Sequence, residues 1–91
     1  MIERVCASEG VCWTVETAGV LVLPREGGEH LLTGLEAAAW DLLNRGESRP
    51  TAVRKLASIG KLAIADVEAA VDGWIESWRA AGWIVAGGAR G

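Results

Sequence analysis

Few residues in this chain have types that could do chemistry, and their spacing does not assemble a catalytic set. His30 is the single histidine, so a Ser-His-Asp or Cys-His arrangement would have to use its imidazole. It stands beside Leu31 in a short apolar run with no catalytic motif around it. We therefore expect that the chain is not an enzyme.

Metal and phosphate sites are not predicted either. Cys6 and Cys12 are the two cysteines, whereas a structural zinc site takes four Cys or His ligands. We interpret them as two free thiols. Gly27 and Gly28 lack the spacing of a phosphate-binding loop and are typical of a hairpin turn. No cofactor is expected.

The acidic residues of the last long apolar segment, about residues 65–81, are spread along its length rather than paired across a pocket. This spacing favours a solvated helix face over a glycosidase-like carboxylate pair. The residues concerned are Asp66, Glu68, Asp72 and Glu76.

Composition bounds the class of protein. A chain of 91 residues that is 51% apolar can build one compact core. A net charge of −3 and scattered basic residues argue against nucleic acid as the ligand, because phosphate must be neutralised by Lys and Arg. The chain start has no secretory-signal pattern and no apolar run reaches membrane-span length, so we expect a cytoplasmic protein.

Hydrophobic periodicity predicts three strands followed by three helices. The strands cover about residues 11–17, 20–23 and 29–32, and the helices about 35–44, 51–60 and 65–81. We therefore predict an α+β fold that is winged-helix-like, with a three-stranded antiparallel β-meander followed by three α-helices. We expect a single domain at 11–85, between an N-terminal segment at 1–10 and a flexible tail at 86–91.

Two features of the predicted helices bear on where a ligand could bind. Thr33 and Glu36 have the spacing of a capping box at the start of the first helix. In the third helix the apolar residues cover an arc of roughly 140°, which is wider than one packing seam, so part of the arc is expected to line a groove. The arc consists of Ile64, Val67, Val71, Trp74 and Trp78, widened by Ala70 and Ile75, and the groove residues expected from it are Val67, Val71, Trp74 and Trp78.

The third strand, residues 29–32, should lie at an edge of the meander. Edge strands carry unpaired N–H and C=O groups, and an extended peptide can add to them as a further strand. Five Trp without Tyr or Phe is consistent with a binding surface, since Trp is enriched at hot spots. These features predict a peptide-binding module.

Two motifs carry a family resemblance. The pattern Leu-x-x-x-x-Ala-x-x-Trp-x-Leu-Leu begins at Leu32, and Gly82-Trp83-Ile84 follows the third helix. With the meander, they make residues 11–85 resemble the PqqD-like family, the RiPP recognition elements. The chain departs from that family in Leu32-Thr33, where Leu-Asn is frequent, and in a third helix that is a turn longer.

The resemblance implies that the domain binds the leader of a ribosomally synthesised precursor peptide (RiPP) by β-strand addition. It would present that peptide to a separate maturation enzyme, such as a radical SAM protein or a leader peptidase. The implied peptide-binding residues are Glu29, His30, Leu31 and Leu32 on the strand and Val67, Val71, Trp74 and Trp78 on the helix.

Two alternatives remain open at this stage. The second and third helices could form the helix-turn-helix of a winged-helix DNA-binding transcription factor, although the third helix carries one Arg and four acids. The Trp-rich helix could also be buried against a second copy in a homodimer.

Overall fold

The structure, a computed structural model, describes residues 4–87, and it describes side-chain burial for residues 6–85. Within residues 4–87 the chain forms five strands and three helices. Their order is β1 Arg4–Ala7, β2 Cys12–Glu16, β3 Gly19–Leu23, β4 His30–Leu32, α1 Gly34–Asn44, α2 Arg49–Gly60, α3 Ile64–Ala80 and β5 Ile84–Gly87.

The predicted fold class is confirmed. β2, β3 and β4 form an antiparallel meander in that order, and the three helices follow it. Val22 of β3 pairs with Trp13 on one side and with His30 on the other. Because directly opposed residues share a sheet face, these three side chains lie on the face that packs on the helices.

Two strands were not predicted. β1 and β5 form a second, two-stranded antiparallel sheet, in which Ala7 pairs with Ile84. Ala86 and Gly87, the first residues of the predicted tail, therefore belong to β5. The rest of that tail lies outside the described residues, and the division into segment, domain and tail stays a prediction.

Helix ends differ in how their backbone groups are satisfied. Ser48 accepts a hydrogen bond from the Thr51 amide, so α2 begins at Arg49, slightly earlier than predicted. Thr33 precedes α1 in an extended conformation, but its side chain makes no capping hydrogen bond. The capping box predicted for Thr33 and Glu36 is therefore wrong. The Glu36 carboxylate instead accepts a hydrogen bond from the Trp78 indole.

The core is organised around Trp40, which is fully buried. Its ring meets the rings of Trp13, Trp78 and Trp83 edge-on, with centroid separations of 6.2, 5.1 and 6.3 Å. Edge-to-face contacts of this kind are the geometry that aromatic quadrupoles favour. The indoles that the sequence places far apart thus join β2, α1 and α3 in one cluster. Among the described helices, none has the length and apolar character to cross a bilayer.

Candidate functional site

β4 lies at an edge of the meander. It pairs with β3 through three residue pairs, from Val20 opposite Leu32 to Val22 opposite His30. On its other side β4 has no strand partner within residues 4–87. The outward main-chain groups of this short strand are therefore open to an added strand.

The side chains of β4 point to two faces. Leu32 is buried in the core. His30 lies on the same face, and its ring centroid is 4.7 Å from that of Trp83. Leu31 points to the opposite face and is 50% exposed. Glu29 immediately precedes the strand and is exposed. The four predicted strand residues thus stand together at the sheet edge, and Leu32 contributes main chain rather than side chain to its surface.

The four predicted helix residues are divided by burial. Val67, Val71 and Trp78 are at most 2% exposed and belong to the core, so their side chains do not line a surface groove in this structure. Trp74 is half-buried at the border of the core. Of this set, Trp74 is the side chain that a ligand reaches without a rearrangement of the core.

The two flanks of α3 face different surroundings. Glu68 and Asp72 lie on one flank, where their carboxylates are 3.5 and 2.9 Å from the Arg49 guanidinium of α2. At about 100° per residue, Ala70 and Trp74 fall on the opposite flank, away from α2. Both are half-buried.

The residues that flank α3 at its two ends lie near β4 and near the start of α1. Trp83, just after α3, contacts His30. At the other end, a Cβ placed on Gly60 would lie 3.2 Å from Leu62 Cδ1 and 3.4 Å from Leu35 Cδ1, so the connection from α2 to α3 lies near the start of α1. We use the name β4–α3 groove for the surface between the segment in which β4 leads into α1 and the Ala70–Trp74 flank of α3.

A residue that the sequence did not mark as part of the site joins α1 to α3. Glu36 Oε2 accepts a hydrogen bond of 3.0 Å from Nε1 of Trp78. Glu36 stands four and seven residues before Trp40 and Leu43, both buried, and so lies on the inward side of α1. That spacing is the sequence signal that could have identified it.

The residues considered for chemistry are dispersed. Cys6 and Cys12 are exposed free thiols on β1 and β2. Within residues 4–87, no group of three or more His, Cys, Asp or Glu is placed to hold a metal ion. His30 makes a ring contact with Trp83, and no carboxylate of the described residues hydrogen-bonds to it.

Comparisons with known proteins give one structural similarity. No family model matches the chain, and no curated protein matches it significantly. A solved structure, TbiB1 in complex with the TbiA(beta) leader peptide, superposes with a TM-score of 0.80. The match covers 87% of this chain and 93% of that chain, at 16% sequence identity. At this identity the likeness establishes a shared fold.

Proposed function

We propose that this chain is a RiPP recognition element of the PqqD-like type. It binds the leader region of a ribosomally synthesised precursor peptide as a strand added to β4. It then presents that peptide to a separate maturation enzyme, such as a radical SAM protein or a leader peptidase. The observation that carries the proposal is the open edge of β4, in a fold shared with a protein solved with a leader peptide bound.

The main chain of β4 supplies affinity in this proposal. An added strand satisfies amides and carbonyls that water otherwise solvates, and each such hydrogen bond contributes about 0.5–1.5 kcal/mol net. Because β4 has three residues, few of these bonds form. Side-chain contacts in the β4–α3 groove must therefore contribute the rest.

We assign the side-chain contacts to the exposed members of the predicted set. Leu31 covers the outer face of the added strand, and Trp74 forms the opposite wall with its half-buried indole. Glu29 and His30 border the end of the groove at the start of β4. Val67, Val71 and Trp78 support the groove from the core side, where they are buried.

The chemistry belongs to the partner enzyme in this proposal. The one imidazole of the chain is packed against Trp83. Three of the four acidic side chains of α3 make ion pairs with arginines, including Asp72 with Arg49 at 2.9 Å and Glu76 with Arg79 at 3.2 Å. Such exposed pairs are typical of a solvated surface.

The same ion pairs favour a peptide over duplex DNA as the ligand. In a winged-helix DNA-binding protein α3 would enter the major groove and its flanks would need cations for phosphate. Here Arg49 is engaged by Asp72 and Glu68. A phosphate backbone would meet those carboxylates as well.

Hydrogen exchange measured by NMR tests the strand-addition mode. The probe is a synthetic leader from a precursor peptide encoded beside the gene for this chain. We expect the amides of His30–Leu32 that face the open edge to exchange more slowly in the complex. The amides of β2, at the far edge of the same sheet, serve as an internal control and should not change.

Two outcomes would contradict the proposal. One is binding of the leader without added protection in β4. The other is that no encoded leader binds, while random duplex DNA binds at low salt with an affinity that falls steeply as salt is raised, which would favour the DNA-binding alternative.

A further inference from the structure

Glu36 has a charged side chain where the helix pattern calls for an apolar one. It lies in the first turn of α1, on the side that carries Trp40 and Leu43, which are 0% and 1% exposed. The residue is half-buried, so its carboxylate is partly removed from water. A desolvated charge is costly unless hydrogen bonds or an opposite charge compensate for it.

The structure gives this carboxylate one side-chain hydrogen bond. Glu36 Oε2 accepts the Trp78 Nε1 hydrogen bond at 3.0 Å. Oε1 has no hydrogen-bond or ion-pair partner among the described residues. A carboxylate has about four acceptor sites, so capacity remains.

The cations of the described residues that make ion pairs are directed to other carboxylates. These pairs are Arg45 with Asp41, Arg49 with Glu68 and Asp72, Lys55 with Glu47, and Arg79 with Glu76. No cationic side chain of residues 4–87 forms an ion pair with Glu36.

The position of Glu36 relates this carboxylate to the groove. It stands four residues after Leu32, the last residue of β4, and its bond to Trp78 spans from α1 to α3. Trp74 lies one helical turn before Trp78 and forms the accessible wall. In the complex inferred here, the peptide strand added to β4 passes close to the Glu36 carboxylate.

We propose that Glu36 makes the groove select a peptide with an Arg or Lys side chain at the position that faces it. This inference rests on the function proposed above and assigns a specificity to the same site. A cation there would meet a partly desolvated carboxylate, where a charge-assisted hydrogen bond is about twice as strong as a neutral one. Glu29, just before β4, is a second negative charge at this strand, whereas Lys61 is a positive charge in the connection before α3.

The expected preference is measurable from the peptide side. A hydrogen bond to a charged group contributes about 1.5–3 kcal/mol, which corresponds to roughly tenfold or more in dissociation constant. Citrulline has nearly the shape of Arg without its charge. Citrulline still donates its urea N–H groups to a carboxylate, so an Arg-to-citrulline change at the position that faces Glu36 removes only the charge and should weaken binding several-fold. An Arg-to-norleucine change removes the hydrogen bond as well and should weaken binding by about tenfold or more.

The probe is a fluorescein-labelled positional-scanning library of short extended peptides. Each position in turn holds Arg, citrulline or norleucine, and binding is followed by anisotropy. Wild type should prefer Arg over citrulline at one position. Glu36→Gln should lose this preference.

The Gln substitution is chosen to preserve the fold, because its side-chain oxygen still accepts from Trp78 Nε1. Glu16→Gln is the matched control, since Glu16 lies on β2 at the opposite edge of the sheet. It should retain the Arg preference. Circular dichroism and urea unfolding check both variants, and the comparison of Arg with citrulline on wild type needs no variant.

The outcomes separate this inference from the proposed function. If no library peptide binds, the proposed function itself loses its support. If peptides bind and protect β4 but wild type binds Arg and citrulline equally at every position, the role of Glu36 is overturned and the function stands. A preference that survives Glu36→Gln equally overturns it.

Discussion

The ring centroids of His30 and Trp83 are 4.7 Å apart, and the planes of the two rings are tilted by 49° to each other. His30 begins the edge strand β4, whereas Trp83 follows α3, and the Trp83 amide donates to the Trp78 carbonyl at 2.9 Å. The Trp83 carbonyl accepts from the Ser8 amide at 2.7 Å. One aromatic contact therefore ties the open strand to the end of α3 and to the segment after β1.

Replacing His30 tests whether this contact holds the edge strand in place. His30→Ala should lower the free energy of unfolding by about 1 kcal/mol, because an aromatic pair contributes about 0.5–1.5 kcal/mol beyond the area that it buries. His30→Phe keeps a ring against Trp83 and should stay near wild type. Urea unfolding followed by tryptophan fluorescence measures both, and equal losses in the two variants would show that the ring contact does not matter.

Trp74 and Trp78 should respond differently to truncation although they are one turn apart. Trp78→Ala removes a core indole, so we expect a loss of about 3–5 kcal/mol in unfolding free energy. Trp74→Ala should remain folded and weaken the binding of the cognate leader by about 2 kcal/mol, roughly thirtyfold. Calorimetric titration measures the second effect.

Glu76→Gln is the control for Trp74→Ala. Glu76 is exposed and pairs with Arg79, so its substitution should change binding by well under 1 kcal/mol. Wild-type affinity in a folded Trp74→Ala variant would mean that this flank of α3 does not line the groove.

Gly19 sets the distance between β3 and β4. Its φ of +152° lies in a region that side chains disfavour, and a Cβ there would lie against the carbonyl oxygen of Leu32. Gly19→Ala should therefore displace β4, destabilise the domain and weaken peptide binding, with a stability cost of about 1–3 kcal/mol.

Gly73→Ala is the matched control, since a Cβ on Gly73 meets nothing within 4 Å. This glycine lies inside α3, where Ala is favoured by about 0.5–1 kcal/mol. The control variant should be slightly more stable than wild type in thermal unfolding. If Gly19→Ala equalled Gly73→Ala in stability and in peptide binding, the close approach of β3 to β4 would matter for neither property.

The sequence by itself determined the parts of this protein that depend on local periodicity. Alternation in residues 11–17 and the β-branched run at 20–23 predicted β2 and β3. The spacing of Val67, Val71 and Trp78 marks a stripe that is the buried face of α3. Each of these patterns spans a few residues. The chain has enough apolar residues to bury each face that a pattern identifies as apolar.

Only the tertiary structure decided which residues meet across the chain. β1 was not predicted because its partner, β5, lies at the other end of the sequence, where Arg4 pairs with Gly87. Glu36 has the spacing of a capping box, yet it bonds to Trp78, which is 42 residues away.

Likewise, the wide arc of α3 did not reveal which of its tryptophans is accessible. Periodicity gives the angle between Trp74 and Trp78 about the helix, but the rotation of that helix depends on what packs against it. Arg49 on one flank and Trp40 beneath Trp78 set that rotation. Contacts of this kind join residues at long sequence separation, and no local pattern encodes them.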